Sequence, residues 1–215
     1  MPPIDIMVIT HDHWDHLDYN TFIKLQHKVK HIVTGLGVAA HLEKWGYPVA
    51  QITELYWGEV AELDGIRFTS TTARHFSGRT FKRNTTLWSS FVLEGSKKIF
   101  LGGDSGYGKH FKEIGKEYGP FDFAILENGQ YNKMWHYIHM MPEEVITAAQ
   151  DLGTRYTIPV HSSKFPLANH PWDEPLIRVT EAARQQRIDI ITPQIGQIVN
   201  LDQIEANTAW WEGIK

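Results

Sequence analysis

The run Thr10-His11-Asp12-His13-Trp14-Asp15-His16-Leu17-Asp18 places three histidines and two aspartates within six residues. On one α-helix these groups would diverge, because at 100° per residue His13 lies roughly 200° from His11. In an extended or turning loop His11 and His13 share a face by the period of two. Asp15 and His16 can then turn toward the same point. Imidazole nitrogen and carboxylate oxygen are ligands that zinc, manganese and iron all accept. Three further residues share one context, a polar side chain just past the end of a predicted strand. His75 follows Ile66–Thr72, and His161 follows Tyr156–Val160. Asp104 follows Lys98–Leu101 through Gly102-Gly103, glycines that let the backbone approach closely. Strand C-terminal ends are where α/β proteins build their sites. Together the seven residues supply enough ligands for two metals with one bridging carboxylate.

The elements that must position these residues alternate. The short apolar run Ile4–Thr10 predicts a buried strand. Tyr19–Val29 predicts a helix with Asp18 as its N-cap. Ile32–Thr34 reads as strand and Val38–Trp45 as helix. Two hairpins follow, Glu59–Leu63 with Ile66–Thr72 about Asp64-Gly65, and Leu87–Leu93 with Lys98–Leu101 about Glu94-Gly95. Helices are expected near Lys109–Glu117, Glu143–Leu152 and Pro175–Arg187, with Pro142 at an N1 position. Strands are expected at Phe121–Leu126, Tyr156–Val160, Asp189–Thr192 and Gln197–Asn200. The class is α/β or α+β. One domain over residues 1–215 is expected, because no linker or repeat interrupts the chain.

Composition limits the partners. The chain has 215 residues, 42% hydrophobic and 21% charged, which suits an ordinary folded protein. There is no cysteine, so disulfide frameworks and thiolate chemistry are excluded. The formal net charge is −4, which argues against a nucleic-acid or anionic-membrane binder. No apolar run approaches the roughly 20 residues of a membrane span. The first ten residues lack a basic region and a small-residue cleavage site, so the expected location is cytoplasmic.

With the histidine run and its later partners in view, the sequence resembles a known family. THDHWDH at 10–16 is similar to the His-x-His-x-Asp-His signature of the metallo-β-lactamase superfamily. ARHFSGR at 73–79, RNTTLW at 83–88, GGDSGYG at 102–108, HMMPEE at 139–144 and PVHSSKFPLAN at 159–169 narrow it. They resemble the branch of N-acylphosphatidylethanolamine phospholipase D and the ascorbate-phosphate lactonase. The resemblance implies an αββα sandwich with a dinuclear site. His11, His13 and His75 would hold the first metal, Asp15, His16 and His161 the second, and Asp104 would bridge them. Zn2+ is the expected ion, with Mn2+ or Fe2+ as alternatives. Two cations roughly 3.5–4 Å apart share a hydroxide nucleophile and clamp the attacked group.

The same resemblance makes Asp15 and His139 the candidate catalytic residues. It implies a metal-dependent hydrolase, first of a phosphodiester and second of a lactone or other ester. A reading of another class is a non-catalytic metal-binding domain or fragment. The chain departs from the branch in three places. The family usually carries several strands before its first metal motif, which here begins at residue 11. Homo-oligomerisation is therefore expected, to cover exposed edges. Lys164 replaces a small polar residue after the last ligand, and Glu127–Asn132 differs from a more apolar version.

Arg74, Arg79, Lys82 and Arg83 surround one ligand candidate without an acidic residue between them. Guanidinium forks suit phosphate and carboxylate oxygens. Arg79 and Lys164 are therefore the candidate contacts to a small anionic substrate. A rival reading starts from Gly35-Leu36-Gly37-Val38-Ala39-Ala40 between a strand and a helix, with Glu54 in reach of a ribose. It would suggest dinucleotide binding, but it uses none of the histidines.

Overall fold

In the computed structural model, residues 2–164, 167–205 and 208–214 are described. They form two compact units, residues 1–104 and 105–215.

The N-terminal unit opens with three parallel strands, β1 (Ile4–Ile9), β2 (Val29–Gly35) and β3 (Ile52–Leu55), in the order β1-β2-β3. Helix α1 (Tyr19–Leu25) connects the first two strands and α2 (Ala39–Lys44) the second and third. Asp18 caps α1, its Oδ2 accepting from the Thr21 amide at 2.7 Å. Four antiparallel strands follow: β4 (Val60–Leu63), β5 (Ile66–Thr71), β6 (Ser90–Glu94) and β7 (Lys98–Leu101). Asp64 and Gly65 both have positive φ, 50° and 79°, as a two-residue hairpin turn requires. The parallel sheet is covered on both faces. One apolar cluster joins Phe22 and Leu42 of the helices, with Leu17 of the loop before α1, to Ile9 and Ile32. A second joins Val33 and Leu55 to Phe68 and Phe91 of the antiparallel strands. Burial on both faces fits the apolar stretches Ile6–Ile9 of β1 and Ile32–Val33 of β2.

The C-terminal unit contains α3 (His110–Tyr118), β8 (Phe121–Glu127), α4 (Pro142–Leu152), β9 (Thr154–Val160) and α5 (Glu174–Gln186). β8 and β9 pair in parallel, and α4 packs against both strands and against α3 and α5. Pro142 opens α4 as expected, and Gly153 closes it in the left-handed conformation with φ 66°. The sequence contains no linker at the 104/105 boundary.

Three expectations are corrected. The helix from Tyr19 ends at Leu25, passes through a 3₁₀ turn at Gln26–Lys28, and the chain is already strand at Val29. β3 at Ile52–Leu55 was not expected. The strands expected at Asp189–Thr192 and Gln197–Asn200 are not strands. Ile190 makes one isolated bridge to Thr157, and Gln197 closes a turn on Gln194 instead.

The glycines of the dinucleotide-like motif have a packing explanation. A Cβ at Gly35 would lie 2.9 Å from the Leu87 carbonyl oxygen, and Gly37 has φ 90° against Thr86. Glu54 Oε1 accepts from the Ala39 amide at 2.8 Å, so a side chain already occupies the first turn of α2. The segment that would have to admit a pyrophosphate is filled by residues 85–87.

Candidate metal centre

β1 ends at Ile9, and the ligand run leaves it as an irregular loop before α1. This brings His11, His13 and His75 to one point in the N-terminal unit. His11 Nε2 and His13 Nδ1 are 2.9 Å apart, and His75 Nε2 is 3.1 Å from His13 Nδ1. Asp104 Oδ2 lies 3.9 Å from His11 Nε2, 3.8 Å from His75 Nε2 and 3.1 Å from His16 Nε2. Asp15 Oδ2 is 3.6 Å from His16 Nε2. Six of the seven predicted ligands therefore converge within this unit, and Asp104 faces both the histidine triad and His16.

The surroundings prepare these groups to accept a cation. His11 is buried, and its pKa lies well below the ordinary value. Desolvation is the main cause, neighbouring His16 adds to it, and Asp104 opposes it without prevailing. His13 is shifted down too, again chiefly by burial. Both shifts favour the neutral imidazole, the form that binds metal. Thr10 Oγ1 lies 3.0 Å from His11 Nδ1, so a proton on that nitrogen leaves the Nε2 lone pair facing the cluster. Three imidazoles and a carboxylate converging on one point fit a divalent cation of the zinc type.

The loop itself is held by residues beneath it. Asp12 is buried, and its carboxylate accepts from the Gly78 amide at 2.7 Å and lies 3.4 Å from His41 Nε2. Burial pushes its pKa up, but hydrogen bonds from His41, Gly78 and Thr86 hold it below the usual carboxylate value. Arg79 Nη1 donates to the Asp12 and Leu17 carbonyls at 2.8 and 2.6 Å, and its guanidinium lies over the Trp14 ring. Arg79, expected as a substrate contact, thus clasps both ends of the ligand loop. Gly103 has φ 61°, and a Cβ there would meet Thr10 at 2.8 Å, which accounts for the second glycine before Asp104.

In the C-terminal unit the structure joins two predicted residues through one that was not predicted. Glu127 ends β8 and is buried. Its Oε1 accepts from the Met140 amide at 2.9 Å, and its Oε2 is 3.1 Å from His139 Nδ1 and 3.7 Å from His161 Nδ1. The two imidazole rings are nearly parallel, 9° apart, at 5.7 Å. A Cβ at Gly129 would lie 2.1 Å from the His161 carbonyl oxygen, so only glycine permits this approach. Gln130 Oε1 accepts from the Leu167 and Ala168 amides and so pins the loop after His161. Lys164 is exposed on that loop. Phe165 and Pro166 of the same motif lie outside the described residues.

Residues 1–162 match the family described as Beta-lactamase superfamily domain. An uncharacterized protein of Mycobacterium tuberculosis is 42% identical over 217 residues, covering 98% of this chain and 58% of its own length. The N-acyl-phosphatidylethanolamine-hydrolyzing phospholipase D 1 of Caenorhabditis elegans is 29% identical over 218 residues, covering 92% of this chain and 61% of its own. The chain thus spans about three fifths of these relatives. Among solved structures, Igni18, a metallo hydrolase of Ignicoccus hospitalis, superposes with a TM-score of 0.68 at 21% identity. It covers 88% of this chain and 76% of that one, a likeness of fold.

Proposed function

The chain belongs to the β-lactamase superfamily, and from that premise we propose that it is a metal-dependent hydrolase of a phosphodiester. The observation that carries this reading is the convergence of His11, His13 and His75 beside Asp104. These three histidines would hold one ion. Asp15 and His16 offer donors for a second, and Asp104 faces both sets. The assignment of His161 to the second ion rests on the motif resemblance at 159–169. A bound pair of divalent cations supplies Lewis acidity and brings the pKa of water toward neutrality.

The remaining work falls to the protein. Thr10 holds the His11 ring through its Nδ1, and Asp12 with Arg79 holds the ligand loop in shape. Glu127 fixes the ring of His139, which we assign to contact or protonate the leaving oxygen. Water adds to phosphorus, the ester P–O bond breaks, and the alcohol departs with a proton. The phospholipase D relative supports the phosphodiester class.

The test is turnover of phosphodiester and lactone panels by the metal-loaded protein, with Asp15→Ala and Asp104→Asn as controls. Phosphodiester hydrolysis that both substitutions abolish is the expected result. Lactone turnover alone would move the substrate to the other ester class. Turnover unchanged in both variants would refute the site assignment.

A further inference from the structure

The N-terminal unit carries a recess that the proposed chemistry leaves unused. Trp14, Phe76, Phe81, Arg79 and Arg83 line it. The turn that bears Phe81 is closed at its base. The Asn84 amide donates to the Ser77 carbonyl at 2.9 Å, and the Ser77 amide donates to Asn84 Oδ1 at 3.3 Å. Gly78, with φ 143°, lets the Lys82 carbonyl approach to within 3.0 Å of where a Cβ would sit. The turn therefore presents its tip from a fixed neck. At that tip Phe81 is fully exposed, and Trp14 is 62% exposed. Leaving large aromatic rings in water forgoes favourable burial, so this recess suits an apolar occupant.

Its charge narrows the occupant. No acidic residue occurs between Ala73 and Leu93. Arg79 Nη1 is engaged by two carbonyls. Arg83 lies 4.9 Å over the Phe76 ring and makes no ion pair among the described residues. The recess also adjoins the metal-binding histidines. The Phe76 ring centroid is 4.5 Å from that of His13 and 4.9 Å from that of His75. A group seated there would be attached to whatever faces those histidines.

We propose that this recess is a specificity pocket. It takes an aryl or acyl group of the substrate, and Arg83 takes an anionic group attached to it. That the occupant is a substrate rests on the hydrolase reading; the binding chemistry does not.

The test is isothermal titration calorimetry on chelator-treated, metal-free protein. The probes are 1-naphthylphosphonate, methylphosphonate and 1-naphthylmethanol. The naphthylphosphonate is expected to bind at least about tenfold more tightly than either partial probe, because aromatic burial and a charge-assisted contact act together. Arg83→Gln should weaken it about tenfold and leave 1-naphthylmethanol unchanged, and Arg83→Lys should restore part of the loss. Phe81→Ser should weaken both naphthyl probes and spare methylphosphonate. Both side chains are exposed, and unchanged thermal melting will confirm that the variants fold. Equal binding of naphthylphosphonate and methylphosphonate, or indifference to both substitutions, would overturn the proposal. Selective binding without phosphodiester or lactone turnover by the metal-loaded protein would uphold the pocket and defeat the hydrolase reading.

Discussion

At the scale of residues, the metal-binding reading depends on neutral imidazoles held in one orientation. Thr10 is the residue that orients His11 without being a ligand itself. Thr10→Val keeps the shape of the side chain and removes the oxygen. It should weaken zinc binding about 10- to 100-fold, as loss of an outer partner does at such sites. Competition with a chromophoric chelator measures this, and unchanged affinity would refute the role. The ligand run was legible in the sequence because four of its donors lie in one short, dense segment. Glu127 was not singled out, although it ends a strand as Asp104 and His161 nearly do. Its partners His139 and His161 are 12 and 34 residues away, and no local spacing reports such a meeting. Arg79 was legible as a cation beside a ligand. Its two bonds to backbone carbonyls were not, because they depend on how the loop closes.

At the scale of elements, local chemistry was readable where it is self-contained. Asp64-Gly65 specifies its turn by itself, and Pro142 specifies the start of α4. The segments 189–192 and 197–200 carry β-branched residues that read as strands, yet a strand also needs an edge to pair with. Ile190 finds one bridge, and Ile198 is left 93% exposed. Packing also reverses an ordinary rule at Gly115 in α3. Replacing a helix-interior glycine by alanine normally stabilises by about 0.8–1 kcal/mol. Here the new Cβ would lie 2.0 Å from the Asp151 carbonyl oxygen at the end of α4. Gly115→Ala should instead destabilise by about 1–3 kcal/mol in urea unfolding, and a gain in stability would contradict the observed packing.

A second element-scale prediction concerns α5. Burial raises the Glu174 pKa, but hydrogen bonds from Tyr131 and Arg178 outweigh it and hold the carboxyl below 4.5. A depressed folded-state pKa contributes stability that is present above pH 4.5 and lost as pH falls through the folded value. The melting temperature should therefore fall more steeply below pH 4.5 in the native protein than in Glu174→Gln. Parallel slopes for the two proteins would show that the network carries no such linkage.

At the scale of the whole molecule, we propose self-association. Among the described residues β1 lies at one edge of the parallel sheet, and its sequence Ile-Asp-Ile-Met-Val-Ile offers one charge and no proline to discourage pairing. Sedimentation should show a species heavier than the 24.8 kDa chain at micromolar concentration. A cooperatively folding monomer across that range would contradict this. None of the described helices is long and apolar enough to cross a membrane.

The most direct test of the central claim is metal content per chain. It is read by inductively coupled plasma mass spectrometry on protein purified without chelators or a histidine tag. The account predicts close to two equivalents of a divalent metal, zinc first, falling when His13 or His75 is replaced by alanine. Content near zero that persists after reconstitution with zinc and manganese would contradict it, and with it the proposal that this chain is a metal-dependent hydrolase.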